Sequence, residues 1–197
     1  MEEPLHFRLI FITCFALMMM ISGYYRKKAR ESGGTIPRRE EGGLALILRL
    51  VLTLPLLLAI LLYTFAPQWM SWAALGLPTW GRWLGIGFAI ACLPLSRWVF
   101  KSIGGNISET VLTKPTHQLV MRGPYRWIRH PLYSVGMLMI LALSLIADNW
   151  FMLLLWVIGL FVFRYLVIPI EEEKLIAAFG EEYKRYRERT GAMMPRV

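Results

Sequence analysis

The chain has 197 residues, of which 56% are hydrophobic, and its 22 Lys and Arg residues outnumber 13 Asp and Glu residues to give a net charge of +9. This length suits a single domain, but a mean hydropathy of +0.49 excludes an ordinary soluble protein. Because the basic residues lie between long apolar runs, the charge indicates membrane topology and argues against a nucleic-acid partner. Cys14 and Cys92 each lie inside an apolar run, so the sequence predicts neither a disulfide framework nor a metal site.

Three apolar runs reach the length of about 20 residues that a helix needs to cross the hydrocarbon core of a bilayer. They extend over residues 5–25, 44–66 and 80–100. The first run ends in a basic triplet without a small-residue cleavage site, so we expect a retained anchor and not a signal peptide. Arg82 lies near the start of the third run, where a long side chain can extend to the lipid headgroups.

A fourth apolar stretch, residues 132–170, is too long for one span and is interrupted only at Asp148 and Asn149. It predicts two helices in a tight hairpin. The first arm, residues 132–147, is short for a complete span, so a partly re-entrant arm is an alternative. The charged segment that follows predicts an amphipathic helix on the inner membrane surface, interrupted at Gly180. Its apolar positions recur at helical spacing: Leu175, Ile176, Phe179, Tyr183 and Tyr186.

The loops predict an orientation, because Lys and Arg accumulate on the cytoplasmic side of a membrane protein. Residues 26–42 and 101–130 are basic, whereas residues 67–79 carry no charge. The sequence therefore predicts an all-α integral membrane protein with five transmembrane helices, an extracytoplasmic N-terminus and a cytoplasmic C-terminus. Residues 1–100 would form three helices, and residues 101–197 would form the functional region with the hairpin and the tail helix.

The hairpin brings two polar clusters together at the cytoplasmic face, because its arms must run antiparallel. The first cluster is GPYRWIRHPLY at residues 123–133, and the second is PIEEEKL at residues 169–175. A helix that begins at Pro131 offers free N–H groups and a positive dipole end to an anion. Glu171 and Glu172 favour a cation, so a small zwitterion such as an amino acid headgroup fits between the clusters. Aromatic rings that could stack on a base are also present: Tyr125, Trp127 and Tyr133.

Each of these residues also has a structural interpretation. The arginines of the first cluster are typical cytoplasmic anchors, and its aromatic residues suit an interfacial belt. His130 could cap a helix, and the three glutamates could be a solvated first turn. His117 and Asn106 lie in a polar loop that predicts little by itself. The joint placement of the two clusters, more than any single residue, favours a functional site.

The stretch HQLVMRGPYRWIRHPLY at 117–133, followed after the hairpin by EEEKLIAAFGEEYKRY at 171–186, resembles the isoprenylcysteine carboxyl methyltransferases and their prokaryotic relatives. Phospholipid methyltransferases are more distant members of that group, and residues 1–100 match only as hydrophobic helices. The resemblance implies a methyltransferase that uses S-adenosylmethionine and releases S-adenosylhomocysteine. Glu171 would hold the α-amino group of the cofactor, and the start of the hairpin would hold its carboxylate. The implied cofactor-binding residues are His117, Gln118, Leu119, Val120, Tyr125, His130, Pro131, Leu132, Tyr133 and Glu171, and the charge pattern adds Glu172.

The sequence departs from the family pattern at Val167, one turn before Glu171, where isoprenylcysteine enzymes are expected to carry an arginine facing the substrate carboxylate. Arg164, about two helical turns before Glu171 on the same face, is the nearest candidate for that catalytic role. Asn106 resembles an asparagine on the family's substrate side. The expected substrate is a lipophilic small molecule or lipid that enters from the membrane lipids. It would be a carboxylate, as in isoprenylcysteine O-methylation, or alternatively a phospholipid or other amine. The non-enzymatic alternative is a membrane scaffold or small transporter that keeps only the fold.

Overall fold

The computed structural model describes residues 4–33, 43–104 and 119–196, and the regular structure within these ranges is helical, as predicted. The α-helices are α1 (Leu5–Gly33), α2 (Gly43–Phe65), α3 (Thr79–Ile103), α4 (Pro131–Ile146), α5 (Trp150–Val162), α6 (Ile168–Phe179) and α7 (Glu181–Arg189). Short 3-10 helices cover Pro67–Ala73 and Gly123–Arg126, and a π-helical turn, Phe163–Val167, joins α5 to α6. Helices α6 and α7 are separated at Gly180, the position expected from the sequence, where φ is 56°.

Three helical stretches are long and apolar enough to cross a membrane: Leu5–Glu31, Thr79–Ile103 and Trp150–Phe179. Two shorter apolar helices, Leu50–Phe65 and Pro131–Ile146, accompany them. The 16 residues of α4 extend about 24 Å at 1.5 Å per residue, less than the roughly 30 Å of a hydrocarbon core. The integral membrane class therefore agrees with the structure, whereas five complete spans and the division at residue 100 stay predictions.

The directions of the first three helices follow from aromatic pairs whose ring centroids lie 4.7–5.8 Å apart: Phe7 with Trp83, Tyr25 with Phe100, and Phe11 with Tyr63. The first two pairs place α1 parallel to α3, and the third places α2 antiparallel to α1. The start of α1 therefore lies at the same end of the bundle as the connection between α2 and α3.

Helix α3 is central to the packing, and its most extensive contacts are with α4 and α1. One of its faces consists of small buried residues at helical spacing: Gly81, Gly85, Ala89, Cys92 and Ser96. Small side chains let helix backbones approach closely in a membrane. The approach is closest at Gly85, where a Cβ atom would lie 2.8 Å from Leu145 Cβ and 2.9 Å from the Ala142 carbonyl oxygen.

Arg82 is buried inside the bundle, with only 7% of its surface exposed. Its Nε and Nη2 donate to the Ile146 carbonyl at 2.9 and 2.7 Å, and Nη2 also donates to the Tyr63 hydroxyl at 3.3 Å. The guanidinium carbon lies 3.9 Å from the centroid of the Phe7 ring. The Arg82 guanidinium therefore binds inside the protein and does not extend outward, because the last carbonyl of α4 has no helical partner and offers the cation an acceptor.

Helices α4 and α5 form the hairpin expected around Asp148 and Asn149. The Asp148 carboxylate accepts from the Leu77 amide at 2.8 Å and from the Gly76 amide at 3.3 Å, so the turn is bound to the connection between α2 and α3. Asn149 caps α5 by accepting from the Met152 amide at 2.9 Å. The opposite end of the hairpin carries the two polar clusters.

Candidate functional site

The antiparallel arms bring the two polar clusters into direct contact. The Tyr133 hydroxyl donates to Glu171 Oε2 at 2.9 Å. His130 lies between the two carboxylates, with Nδ1 3.5 Å from Glu171 Oε2 and Nε2 3.4 Å from Glu172 Oε1. Its imidazole is buried and stacks on the Tyr133 ring at 5.6 Å. The hairpin therefore joins residues from the start of α4 and from α6 in one site.

The two adjacent glutamates differ in how far their charge is neutralised. Glu172 is 2.8 Å from Arg129 Nε and 4.0 Å from Arg187 Nη1, and 11% of its side chain is exposed. Glu171 has 25% of its side chain exposed, and among the described residues it contacts Tyr133 and His130 but no arginine or lysine. Glu171 therefore keeps a carboxylate that can attract a cationic ligand, whereas Glu172 is occupied within the protein.

Tyr125 is buried in the short helix Gly123–Arg126, and its carbonyl accepts from the Tyr186 hydroxyl at 2.6 Å. Burial raises the pKa of Tyr125, and Tyr186 and the charge of Glu171 act in the same direction. Burial also raises the pKa of Tyr186, although Arg129 acts against it. Both hydroxyls therefore stay protonated at neutral pH. Tyr125 and Arg129 are both bound to α7, Tyr125 through its carbonyl and Arg129 through its guanidinium.

The start of α4 offers fewer free amides than the sequence suggests. Pro131 is the first helical residue, as expected, and has no N–H to donate. The amides of Tyr133 and Ser134 donate to the His130 carbonyl at 3.1 and 3.2 Å. Among the described residues, the Leu132 amide remains as the first-turn donor, together with the positive end of the helix dipole.

An open cleft of about 180 Å³ lies beside the glutamates and is lined in part by Arg129, Arg164, Glu172, Glu173 and Arg187. Arg164 is exposed, and its guanidinium carbon lies 5.4 Å from the centroid of the Tyr165 ring. The sequence predicts Arg164 on the face of Glu171, and in the structure Arg164 lines this cleft together with Glu172 and Glu173. A π-helical turn separates Arg164 from the glutamates: the Ile168 amide bonds to the Phe163 carbonyl, and the regular α-helical phase changes there.

The segment after α7, residues 190–193, forms part of the site and was not anticipated. It runs beside the first cluster, with a parallel bridge between Ile128 and Gly191. The hydrogen bonds that hold it are Gly191 N to Trp127 O (3.1 Å), Arg129 N to Gly191 O (2.9 Å), His130 N to Ala192 O (2.9 Å) and Ser134 Oγ to Met193 O (2.6 Å). The one sequence feature that could have indicated a tightly packed tail is Gly191, because a Cβ there would collide with the Met194 carbonyl oxygen.

The other expected site residues lie outside the described residues or against the hydrophobic core. His117, Gln118 and Asn106 lie outside the described residues. Leu119 is partly buried, and Val120 and Leu132 pack against the hydrophobic core. The side chains that the structure brings together are His130, Tyr133, Glu171 and Glu172, with Arg164 in the adjacent cleft. The Tyr125 side chain is buried in the hydrophobic core.

Comparison with known proteins gives a consistent picture. The phospholipid methyltransferase family model matches residues 80–182, more than half of the chain. The protein-S-isoprenylcysteine O-methyltransferase of Schizosaccharomyces pombe is 30% identical over 96 residues, covering 48% of this chain and 41% of the relative. The Homo sapiens enzyme of the same name is 29% identical over 141 residues, covering 66% and 47%. The chain thus spans less than half the length of these curated relatives.

The described helices also resemble a solved structure, that of the eukaryotic intramembrane Ras methyltransferase named isoprenylcysteine carboxyl methyltransferase. The TM-score is 0.56 at 19% identity, and the match covers 94% of this chain and 67% of the other. At this identity the likeness shows a shared fold.

Proposed function

The chain belongs to the phospholipid methyltransferase family, and on that basis we propose that it is a methyltransferase that uses S-adenosylmethionine to modify a lipophilic acceptor at the membrane surface. The observation that carries this proposal is the arrangement of Glu171 with Tyr133 and His130 at the start of α4. The isoprenylcysteine O-methyltransferases among its relatives and the shared intramembrane fold support a membrane-embedded enzyme.

The described residues fit the charged part of this cofactor. Glu171 offers a carboxylate to an ammonium group, and the Leu132 amide at the positive end of α4 suits a carboxylate. The half-buried ring of Tyr133 provides a flat surface for the remainder. When bound, S-adenosylmethionine supplies a methyl group activated on a sulfonium. The residues of the chain mainly have to bind and align the two reactants and keep water away.

We assign the acceptor to the carboxylate class. A carboxylate is already ionised at neutral pH and needs no general base. Arg164 supplies a permanent cation in the open cleft, and a guanidinium suits a carboxylate. Exposed apolar side chains flank it on the same helical stretch: Phe161, Tyr165 and Leu166. The acceptor can therefore enter from the lipid with its charged end toward Arg164. Asn106 lies outside the described residues, and only the family resemblance proposes it for the substrate side.

The amine of a phospholipid is the second candidate acceptor. Glu172 and Glu173 line the same cleft as Arg164, so a protonated amine also has carboxylates to approach. The family model that matches the chain is named for phospholipid methylation.

With the basic segments inside, the proposed site faces the cytoplasm, from which a polar cofactor is supplied.

Transfer of a radioactive methyl group distinguishes the two acceptors. The full chain in liposomes is given methyl-labelled S-adenosylmethionine with either a prenylcysteine carboxylate or phosphatidylethanolamine. A carboxyl methyl ester releases volatile label in mild base, whereas an N-methyl group does not. We expect base-labile product. Label that is stable in base would assign the acceptor to the amine class. Absence of transfer to either substrate, and to lipids extracted from native membranes, would contradict the proposed function.

Replacing Glu171 tests the cofactor site directly. We expect Glu171→Gln to weaken binding of S-adenosylhomocysteine strongly, because a charge-assisted hydrogen bond contributes roughly 1.5–3 kcal/mol. Glu173→Gln is the matched control, since Glu173 is exposed. Calorimetry in detergent measures both affinities. Equal, small losses would mean that these glutamates form only a solvated helix start.

A further inference from the structure

We infer that Arg129 is a positioning residue that fixes His130 and the start of α4 by tying them to α6 and to residues 190–193, here called the tail segment. This inference rests on the proposed function and deepens it. It assigns Glu172 to Arg129 and leaves Glu171 as the carboxylate for the cofactor.

The Arg129 guanidinium joins three parts of the chain that are distant in sequence. Its Nε donates to Glu172 Oε1 on α6 at 2.8 Å. Its Nη1 donates to the Arg187 carbonyl on α7 at 3.0 Å and to the Thr190 carbonyl at the start of the tail segment. The side chain is 10% exposed. An arginine that served only as a headgroup anchor would keep its guanidinium in water.

The backbone at Arg129 is also hydrogen-bonded to the tail segment. The Arg129 and His130 amides donate to carbonyls of the tail segment, and the Gly191 amide donates back to the Trp127 carbonyl. Backbone pairing of this kind has one register, so a displaced tail segment must displace His130. His130 in turn contacts both Glu171 and Glu172. The tail segment is therefore coupled to the cofactor site through Arg129 and His130.

Lysine cannot replace this arginine. A guanidinium presents several donors in a rigid fork, whereas an ammonium is a compact charge on a flexible stem. Arg129→Lys would keep the charge next to Glu172, but its three donors share one nitrogen, whereas the carboxylate and the two carbonyls bind two different guanidinium nitrogens, Nε and Nη1. The geometry therefore makes the shape of the side chain, and not only its charge, the requirement for an ordered site.

The test compares Arg129→Lys with Arg185→Lys, a matched control on the exposed side of α7. We expect Arg129→Lys to weaken S-adenosylhomocysteine binding about tenfold, which corresponds to about 1.4 kcal/mol. The KM for the methyl donor should rise more than kcat falls. Hydrogen exchange should accelerate at the amides of residues 129, 130 and 191. Arg185→Lys should change none of these quantities.

A second variant disturbs the tail segment without replacing Arg129. Gly191→Ala forces the tail segment to move, because the added Cβ meets the Met194 carbonyl oxygen. It should reproduce both the affinity loss and the faster exchange, and it replaces Arg129→Lys if that variant does not fold in detergent. Wild-type affinity and wild-type exchange in either folded variant would overturn the inference. If the wild-type chain binds no S-adenosylhomocysteine, the proposed function fails, and the exchange measurement still decides whether Arg129 holds the tail segment.

Discussion

Burial and pairing separate side chains that the sequence presents as equivalent. Arg126 and Arg129 both lie in the first polar cluster and both read as cytoplasmic anchors. Arg126 is exposed and lies over its neighbour Trp127, 4.8 Å from the ring centroid, whereas Arg129 is enclosed by Glu172 and the tail segment. Sequence spacing could not distinguish them, because the contacts of Arg129 depend on residues more than 40 positions away.

Replacing Arg164 distinguishes the carboxylate from the amine class of acceptor. If the acceptor is a carboxylate, Arg164→Ala should reduce methyl transfer at least tenfold, since a charge-assisted pair is lost, and leave S-adenosylhomocysteine affinity nearly unchanged. If the acceptor is an amine, a nearby cation repels its protonated form, and removing Arg164 should be neutral or helpful. Turnover on a prenylcysteine carboxylate and on phosphatidylethanolamine measures the contrast. Full activity of Arg164→Ala on the carboxylate would show that Arg164 does not orient the acceptor.

The matched variant for this experiment is Val167→Arg. It places a guanidinium one turn before Glu171, where the isoprenylcysteine enzymes are expected to carry theirs. Activity on the prenylcysteine substrate should rise in this variant if a carboxylate is the acceptor, because arginine can bind both carboxylate oxygens. A gain on phosphatidylethanolamine instead would count against that class.

At the level of secondary-structure elements, the helix that runs from α5 into α6 shows where periodicity fails. Regular α-helical spacing puts Arg164 and Glu171 on one face, but Pro169 has no N–H to donate to the preceding turn. The π-helical turn Phe163–Val167 precedes it and changes the phase of the helix. The sequence contained the cause, Pro169, but spacing rules assume an uninterrupted helix, so the grouping of Arg164 with Glu172 was not anticipated.

The contact between α3 and α4 should depend on a single glycine. Gly85→Ala would place a Cβ against backbone atoms of α4, and we expect a loss of about 1–3 kcal/mol because overpacking forces the helices apart. Gly87→Ala is the control, since nothing lies within 4 Å of a Cβ there, and alanine favours a helix interior. Thermal unfolding in detergent compares the two variants. Equal stability would mean that α3 and α4 are not packed as described.

At the scale of the whole molecule, the resemblance expected from the motifs at 117–133 and 171–186 is confirmed by the family match and by the relatives. The hairpin was also predictable, because an apolar stretch of that length with one polar interruption must turn. The buried Arg82 and the tail segment were not predictable. Both are held largely by backbone carbonyls of distant segments, and carbonyls occur at every residue and leave no pattern in a sequence.

The predicted orientation of the molecule in the membrane rests on the arrangement of the helix ends and on the charge of the loops. The start of α1, the uncharged connection between α2 and α3, and the Asp148 turn lie at one end of the bundle, while α7 and the first polar cluster lie at the other. The native cysteines are both buried, so single exposed cysteines can report topology. We expect a membrane-impermeant maleimide to label Gln68→Cys in intact cells and Arg185→Cys only after permeabilisation, because basic residues stay on the cytoplasmic side. Labelling of Arg185→Cys in intact cells would place the proposed cofactor site outside the cytoplasm, where S-adenosylmethionine would not be supplied to it.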